Sequence, residues 1–469
     1  MISEKQAKEL RKQIERKPSL AWDVMDKQET DEAFKLAERY KAFLDAKTER
    51  EAMSAIVNAA VKSGFKNVDD KSDGGKYYKV LRNKSVALAV MGKKPLSEGS
   101  RIVAAHIDSP RLDLKQNPLY EEVELAFLKT HYYGGIRKYQ WLARPLAMHG
   151  KVVKSDGIEF NLIIGESDSD SVFTIADLLP HLAGKVQSDK KLSEAFEGEK
   201  LNILVGSLPL GNSKIKDRFK LHVLNYLYEK YGMVEEDFTT AEIELVPAGK
   251  ARDIGFDKSL VGAYGQDDRI CAFTALEALL GTKKPEFTSL ALFYDKEEIG
   301  SEGNTAAQSR FLEEFVSDLF VKTGSEASER ILRKALIAST AISADVNGAL
   351  DPDFQDVHDK RNAARLGYGV CVTKFTGSGG KGGANDANAE YLGLLRRIFN
   401  ENSIVWQTGE LGKVDIGGGG TIAKYLASYG MEIVDCGPAV LSMHSPFEIS
   451  SKADIYMTFK AYKAFFAAK

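Results

Sequence analysis

Short apolar runs that stop abruptly at an acidic or imidazole side chain recur along this chain. Ser85 to Met91 and Arg101 to Ala105 are β-rich stretches, and the second ends directly at His106. Ser289 to Tyr294 reads as a buried strand that runs into Asp295-Lys296-Glu297-Glu298-Ile299-Gly300. Ala335 to Ser343 leads into Ala344-Asp345, and Ile433 to Leu441 leads toward His444. One helical pattern belongs with these. Ile270, Cys271, Phe273, Leu276, Leu279 and Leu280 follow Gly265-Gln266-Asp267-Asp268-Arg269 at helical spacing, which places an acidic pair at a helix N-terminus. Polar residues at strand ends are where an open α/β sheet binds its ligands.

Other stretches predict scaffold. Ile158 to Ile164 and Leu201 to Leu208 are isolated strand-like runs among acidic, serine-rich turns such as Gly165 to Asp170. Lys216 to Tyr231 reads as a helix with Phe219, Val223, Leu224 and Leu227 on one face. Ser3 to Lys17 and Asp31 to Lys62 are charged amphipathic helices, the latter packing through Leu36, Tyr40, Phe43 and Ile56. With 469 residues and 43% hydrophobic content the chain has material for two domains. A formal charge of −3 gives no reason to expect nucleic acid or an anionic membrane. Cys271, Cys371 and Cys436 stand far apart without a CxxC pair, which fits a reducing cytoplasm. The charged stretch Glu4 to Lys17 lacks the apolar core of a signal peptide, and no membrane span is expected.

Neutral imidazole and carboxylate are the ligands that Zn²⁺, Mn²⁺ or Co²⁺ take. His106, Asp267, Glu298, Asp345 and His444 supply two histidines and three carboxylates, a set that fits two ions with one bridging carboxylate. Such a pair activates a water for hydrolysis. Asp108, two residues after His106, is placed to accept the other ring N–H and fix its tautomer. Glu297, beside Glu298 but free of a ligand role, suits a general base and then an acid to the leaving amine. Each island alone has a plainer reading. Asp267 or Asp268 can be a helix cap, Glu297-Glu298 a solvated loop pair, and His444 a satisfied core residue. Two glycine-rich stretches, Gly377 to Gly383 and Gly417 to Thr421, are not Walker loops, since neither has Lys followed by Ser or Thr at the required place.

Taken in order, His-x-Asp-Ser-Pro at 106–110, Asp-Asp-Arg at 267–269, Tyr-Asp-x-Glu-Glu-Ile-Gly-Ser at 294–301, Ser-Ala-Asp at 343–345 and Met-His-Ser at 443–445 resemble the M18 metallopeptidases. This is the family of aspartyl aminopeptidase and vacuolar aminopeptidase I, and the likeness is closest to bacterial aminopeptidase 1. The resemblance implies an α/β zinc-peptidase fold, a central mixed sheet flanked by helices. It divides the chain into a catalytic domain at 1–116 and 248–469 and a smaller β-rich dimerisation domain at 117–247. It implies that His106, Asp267 and Asp345 hold one ion and Asp267, Glu298 and His444 the other, Zn²⁺ ahead of Mn²⁺ or Co²⁺, with Asp267 bridging and Glu297 as base. Hydroxide held between the metals would attack the first peptide carbonyl, making an aminopeptidase. Gly419, Gly420 and Thr421 become substrate contacts, and the dimers assemble into a tetrahedral dodecamer.

Two family positions differ here. The histidine that supports the oxyanion from a neighbouring subunit aligns with Lys185, with His181 four residues earlier as the other donor. The lysine that pairs with an acidic substrate aligns with Gly367, which favours neutral or hydrophobic N-terminal residues and keeps acidic ones as the alternative. Two rival functions stand beside the aminopeptidase: a related dinuclear amidohydrolase such as a deacylase, and an inert oligomeric scaffold.

Overall fold

The computed structural model describes residues 2–71 and 74–469. Its centre is a nine-stranded mixed sheet. In spatial order the strands are Lys66–Asn67, Lys76–Leu81, Ser85–Val90, Thr288–Tyr294, Ser100–His106, Thr340–Ser343, Glu432–Gly437, Val370–Thr373 and Trp406–Thr408. The four from Thr288–Tyr294 to Glu432–Gly437 run parallel, so their C-terminal ends open on one edge. Ser100–His106 and Thr288–Tyr294 are buried at every residue. Alternate side chains serve two cores. Val103, Ala105, Ala291 and Phe293 face the helices Lys27–Phe43, Glu49–Lys62, Gln266–Leu280, Ala389–Glu401 and Lys452–Ala467, while Ile102, Ala104, Leu290 and Leu292 face Phe311–Lys322, Glu329–Ile337 and Ala423–Ala427. A sheet covered on both faces needs apolar residues at odd and even positions, hence the unbroken runs in the sequence.

Two of the predicted runs are not single strands. Ala335, Leu336 and Ile337 end the helix Glu329–Ile337, and only Thr340–Ser343 is extended. Ile331, Leu332, Ala335 and Leu336 repeat at helical spacing and pack together on the sheet, which favours the helix over a longer strand. Ile433 to Leu441 divides at Pro438 into Glu432–Gly437 of the central sheet and Ala439–Leu441 of a five-stranded sheet. Proline has no N–H to give to a ladder, so the chain leaves one sheet there and joins the next. The amphipathic stretch from Asp31 to Lys62 is likewise two helices, Lys27–Phe43 and Glu49–Lys62, with Leu36, Tyr40, Phe43 and Ile56 all buried.

A six-stranded antiparallel sheet has its own core. Its order is Glu159–Ile164, Leu146–Val153, Glu242–Pro247, Arg111–Glu122, Leu125–Tyr133 and Ile203–Gly206, with the helix Arg218–Tyr231 against it. The strand Arg111–Glu122 runs straight across the expected boundary at 116/117. Where this sheet meets the helix Glu49–Lys62 and the turn at Lys84, the contact is a buried polar seam. Fully buried Glu49 receives Lys84 at 3.0 Å and Arg111 at 3.5 Å, His149 lies 2.7 Å from Glu51 and 3.0 Å from Glu166, and Lys47 Nζ sits 2.7 Å from Glu166.

Candidate metal centre

The C-terminal ends of the parallel strands bring the separated islands together. His106 is the last residue of its strand, Glu297 and Glu298 form the first turn after Tyr294, and Asp345 follows Ser343 by two residues. Asp267 and Asp268 open the helix Gln266–Leu280 with non-helical backbone and a cis peptide between them. Neither caps it, since Gly265 holds the cap position. His444 stands in the turn after Ala439–Leu441. Donor atoms of His106, Asp267 and Asp345 all lie within 4.8 Å of one another, as do those of Asp267, Glu298 and His444. Asp267 belongs to both groups. Its Oδ1 is 3.3 Å from His106 Nε2, and its Oδ2 is 3.2 Å from His444 Nε2.

Both imidazoles are pinned at Nδ1 and present Nε2 to this cluster. His106 Nδ1 is 3.3 Å from Asp108 Oδ1 and 3.2 Å from the Asp108 carbonyl, while His444 Nδ1 donates to the Gly135 carbonyl at 2.9 Å. Pinning one nitrogen fixes the tautomer and leaves the other bare, the arrangement of a metal-binding histidine. Asp108 does more than the sequence suggests, because its two oxygens also accept the Glu297 N–H at 3.1 Å and the Glu298 N–H at 3.2 Å. It therefore ties the base-bearing turn to the His106 strand.

The charges of this group suit a cation. Burial pushes the Glu297 carboxyl up to about 7, helped by the nearby negative charge of Asp108 and Asp267. Burial and neighbouring acids also hold Glu298 and Asp345 well above the ordinary range. Burial opposes ionisation of Asp267, but hydrogen bonds from His106 and His444 outweigh it and lower its pKa. Burial disfavours the charged form of His444, yet Glu298 and Asp267 raise it to about 10. Glu298 Oε1 is buried without a hydrogen-bond partner among the described residues. A divalent ion would satisfy that oxygen and take the place of the imidazole protons, so the donor set fits a metal.

A cavity of about 570 Å³ opens over the cluster, lined by His106, Glu297, Asp345 and His444 on the floor and Gly419, Gly420 and Thr421 on the wall. The two glycine-rich stretches pack backbone to backbone there, with the Gly377 N–H donating to the Gly419 carbonyl at 2.5 Å. Lys381, Lys413 and Lys424 also line it. Gly367 does not. It packs against Leu20 and gives its N–H to buried Asp454 at 2.7 Å, so the side-chain preference argued from Gly367 loses its premise. His181 and Lys185 are exposed on Pro180–Ala183 and Gly184–Ser188, away from the lining of this chain's own cavity.

Several positioning groups escaped the sequence reading. Glu448 is buried and accepts the N–H of Gln266 at 2.6 Å, of Asp267 at 3.2 Å and of His444 at 2.8 Å, clipping two ligand-bearing turns together. A lone acid inside the strand Glu448–Ser451 was the available signal. Fully buried Arg269 donates to the carbonyls of Lys47 at 2.5 Å and Ile107 at 3.3 Å, locking the helix start to the strand end. Tyr133 gives its hydroxyl to Asp108 Oδ2 at 2.8 Å, and nothing in its sequence neighbourhood marks it.

A mixed sheet whose parallel strand ends, with a helix start and a turn beside them, present two histidines and a set of carboxylates to one cavity is the framework of an α/β metallohydrolase. The model of the Aminopeptidase I zinc metalloprotease family (M18) matches residues 43–466, and the chain belongs to that family. It is a metallo-aminopeptidase. A probable M18 family aminopeptidase 1 from Clostridium acetobutylicum is 52% identical over 453 residues, 95% of this chain and 97% of the relative. The crystal structure of an M18 aminopeptidase from Thermotoga maritima superposes with a TM-score of 0.92 at 46% identity, covering 96% of this chain and 99% of that one. The S. cerevisiae mApe1 dodecamer shares the fold, with a TM-score of 0.74 at 23% identity over 92% of this chain and 96% of that chain. Among the described residues no helix is long and apolar enough to cross a membrane.

Proposed function

We propose that this aminopeptidase works with two divalent cations that share Asp267, and that Glu297 is its general base. The observation that carries the reading is the division of Asp267, whose two oxygens face two different imidazoles. His106, Asp267 and Asp345 would hold one cation and Asp267, Glu298 and His444 the other; zinc is the family's metal, and manganese and cobalt accept the same donors. Bound there, the cations supply Lewis acidity toward a peptide carbonyl and acidify water. Glu297 Oε2 lies 3.8 Å from His106 Nε2, close enough to the cluster to take a proton from the attacking water and return it to the departing amine. Asp108 holds that glutamate by its backbone N–H. The acidic floor suits a free, protonated α-amino group, and the glycine wall at 419–421 lets a peptide backbone approach closely.

The segment 117–247 serves dimerisation in this reading, and the dimers build a tetrahedral dodecamer in the cytoplasm. Support comes from apolar side chains left in solvent on that segment, including Val172, Leu179, Leu182, Val186 and Leu192, a concentration that calls for a covering surface. The yeast relative is itself a dodecamer. Lys185 or His181 would then reach a neighbouring cavity to support the oxyanion.

Hydrolysis of paired free and N-blocked aminoacyl substrates, with Zn²⁺, Mn²⁺ or Co²⁺ added, tests the chemistry. Metal-dependent release from free N-termini alone, lost in Glu297→Gln, is the expected result. Cleavage of the blocked partner would instead support a deacylase, and no turnover under any metal an inert scaffold. Sedimentation of the intact protein tests the assembly.

A further inference from the structure

One strand of the six-stranded sheet ends against His444 and against Asp108, the carboxylate behind His106. The strand Leu125–Tyr133 finishes in Tyr133-Gly134-Gly135. Three consecutive residues each touch a different part of the cluster. The Tyr133 hydroxyl donates to Asp108, the carboxylate that pins His106 and both N–H groups of the Glu297-Glu298 turn. A Cβ on Gly134 would lie 3.3 Å from Glu298 Cβ, and Gly134 has φ +73, so glycine is needed for fit and for backbone. The Gly135 carbonyl accepts His444 Nδ1–H, and a Cβ at 135 would lie 3.3 Å from that same nitrogen.

We infer that Tyr133-Gly134-Gly135 is a positioning strap through which the six-stranded sheet sets the orientation of both histidine ligands and of the Glu297-Glu298 turn. The inference rests on the metal-centre reading above. The strap is itself held firmly. The Arg111 guanidinium lies 3.9 Å from the centre of the Tyr133 ring and pairs with Asp113 at 2.8 Å and Glu244 at 3.2 Å, both from strands of the same sheet, so ring and sheet move as one. A carboxylate that accepts four hydrogens needs its remaining direction fixed, or it turns and carries its partners with it. Tyr133 supplies that restraint on the His106 side, and the Gly135 carbonyl supplies it on the His444 side. The geometry of the centre thus depends on a body whose core is separate from the one that carries the ligands.

Tyr133→Phe removes the hydroxyl while keeping the ring under Arg111, and Gly135→Ala inserts a methyl beside the His444 ring. Tyr132→Phe is the control, since Tyr132 is exposed on the same strand. Zinc affinity is measured by competition with a chromophoric chelator, alongside the melting temperature of the metal-free protein and kcat and KM for an aminoacyl substrate. Tyr133→Phe is expected to weaken zinc binding by about 10–100-fold, the usual loss when a group that orients a metal ligand is removed. Its kcat falls while KM and the metal-free melting temperature hold, and Tyr132→Phe behaves as wild type. Gly135→Ala is expected to weaken one of the two zinc equivalents and spare the other. Wild-type zinc affinity in both Tyr133→Phe and Gly135→Ala overturns the strap alone, and so does a loss that merely tracks the melting temperature across the variants. A wild-type protein that binds no zinc overturns the metal centre and the strap together.

Discussion

Gly437→Ala adds a single methyl group in a tight place behind the metal centre. Gly437 ends the strand Glu432–Gly437, beside the strand that leads to Asp345, and its backbone is not in the left-handed region, so alanine meets no conformational objection. The objection is steric. A Cβ there would lie 2.7 Å from the carbonyl carbon of Asp345 and 2.8 Å from the Cys271 sulfur, and it would come closer still to the Asp345 carbonyl oxygen. Ordinary contact begins at 3.4 Å, so the Asp345 carbonyl group must yield by more than 0.7 Å, the shortfall at its carbon 2.7 Å away, and the Cys271 sulfur must give as well. Both neighbours lead to ligands, because Cys271 sits one turn after Asp267 on the helix Gln266–Leu280. Catalytic groups need to be held within about 0.5 Å, and a misplacement of about 1 Å costs on the order of 10²-fold in rate. The variant should lose about 10- to 10²-fold in kcat/KM, weaken zinc, and fall in stability by about 1–3 kcal/mol as overpacked cores do. Steady-state rates, chelator competition and thermal melting of the metal-free protein measure the three effects. Full zinc affinity with a wild-type rate would refute the claim that this close approach fixes Asp345.

Glu297→Gln should lower kcat by about 10²–10⁴-fold while zinc binding persists, read from kinetics and chelator competition together. Burial sets the Glu297 pKa at about 7 before any cation is added, and bound cations lower it, so the acid limb of kcat/KM should fall below pH 7 and vanish from the variant's residual activity. For His149, burial opposes protonation but hydrogen bonds to Glu166 and Glu51 raise the pKa above its unfolded value. Its contribution is therefore complete below about pH 6.5 and lost as pH climbs through the raised folded value, so melting curves of wild type and His149→Gln should converge on the alkaline side. Phe315→Ala, at a fully buried position between sheet and helices, should cost about 3–5 kcal/mol by denaturant unfolding without changing zinc affinity.

Much of the centre was legible because a strand buried on both faces must be apolar throughout, so the end of the run marks where the backbone leaves the sheet. His106 and Glu298 are found by that rule. The same rule fails at Ala335, whose run begins in a helix, because helical spacing only shows when Ile331 and Leu332 are counted with it. It fails again at Pro438, where an unbroken apolar stretch serves two sheets. Gly367 shows the limit of register alone, since the aligned position lies against Leu20 instead of the cavity. Tyr133 and Gly135 were invisible for another reason. A tyrosine hydroxyl or a glycine carbonyl has no meaning along the chain, and acquires one only when a second sheet carries it to a ligand.

The parallel strands that frame the cavity are neighbours in space but strangers in sequence. His106 pairs across the ladder with Tyr294, the six-stranded sheet is spelled out between them, and the last donor is His444. A chain emerging from the ribosome therefore carries a half-built centre until residue 448 is made, with Asp267 waiting for a second imidazole and Glu448 not yet present to join the two turns. An enzyme that trims peptides from their free ends therefore has no complete centre until His444 and Glu448 have been made and folded into place.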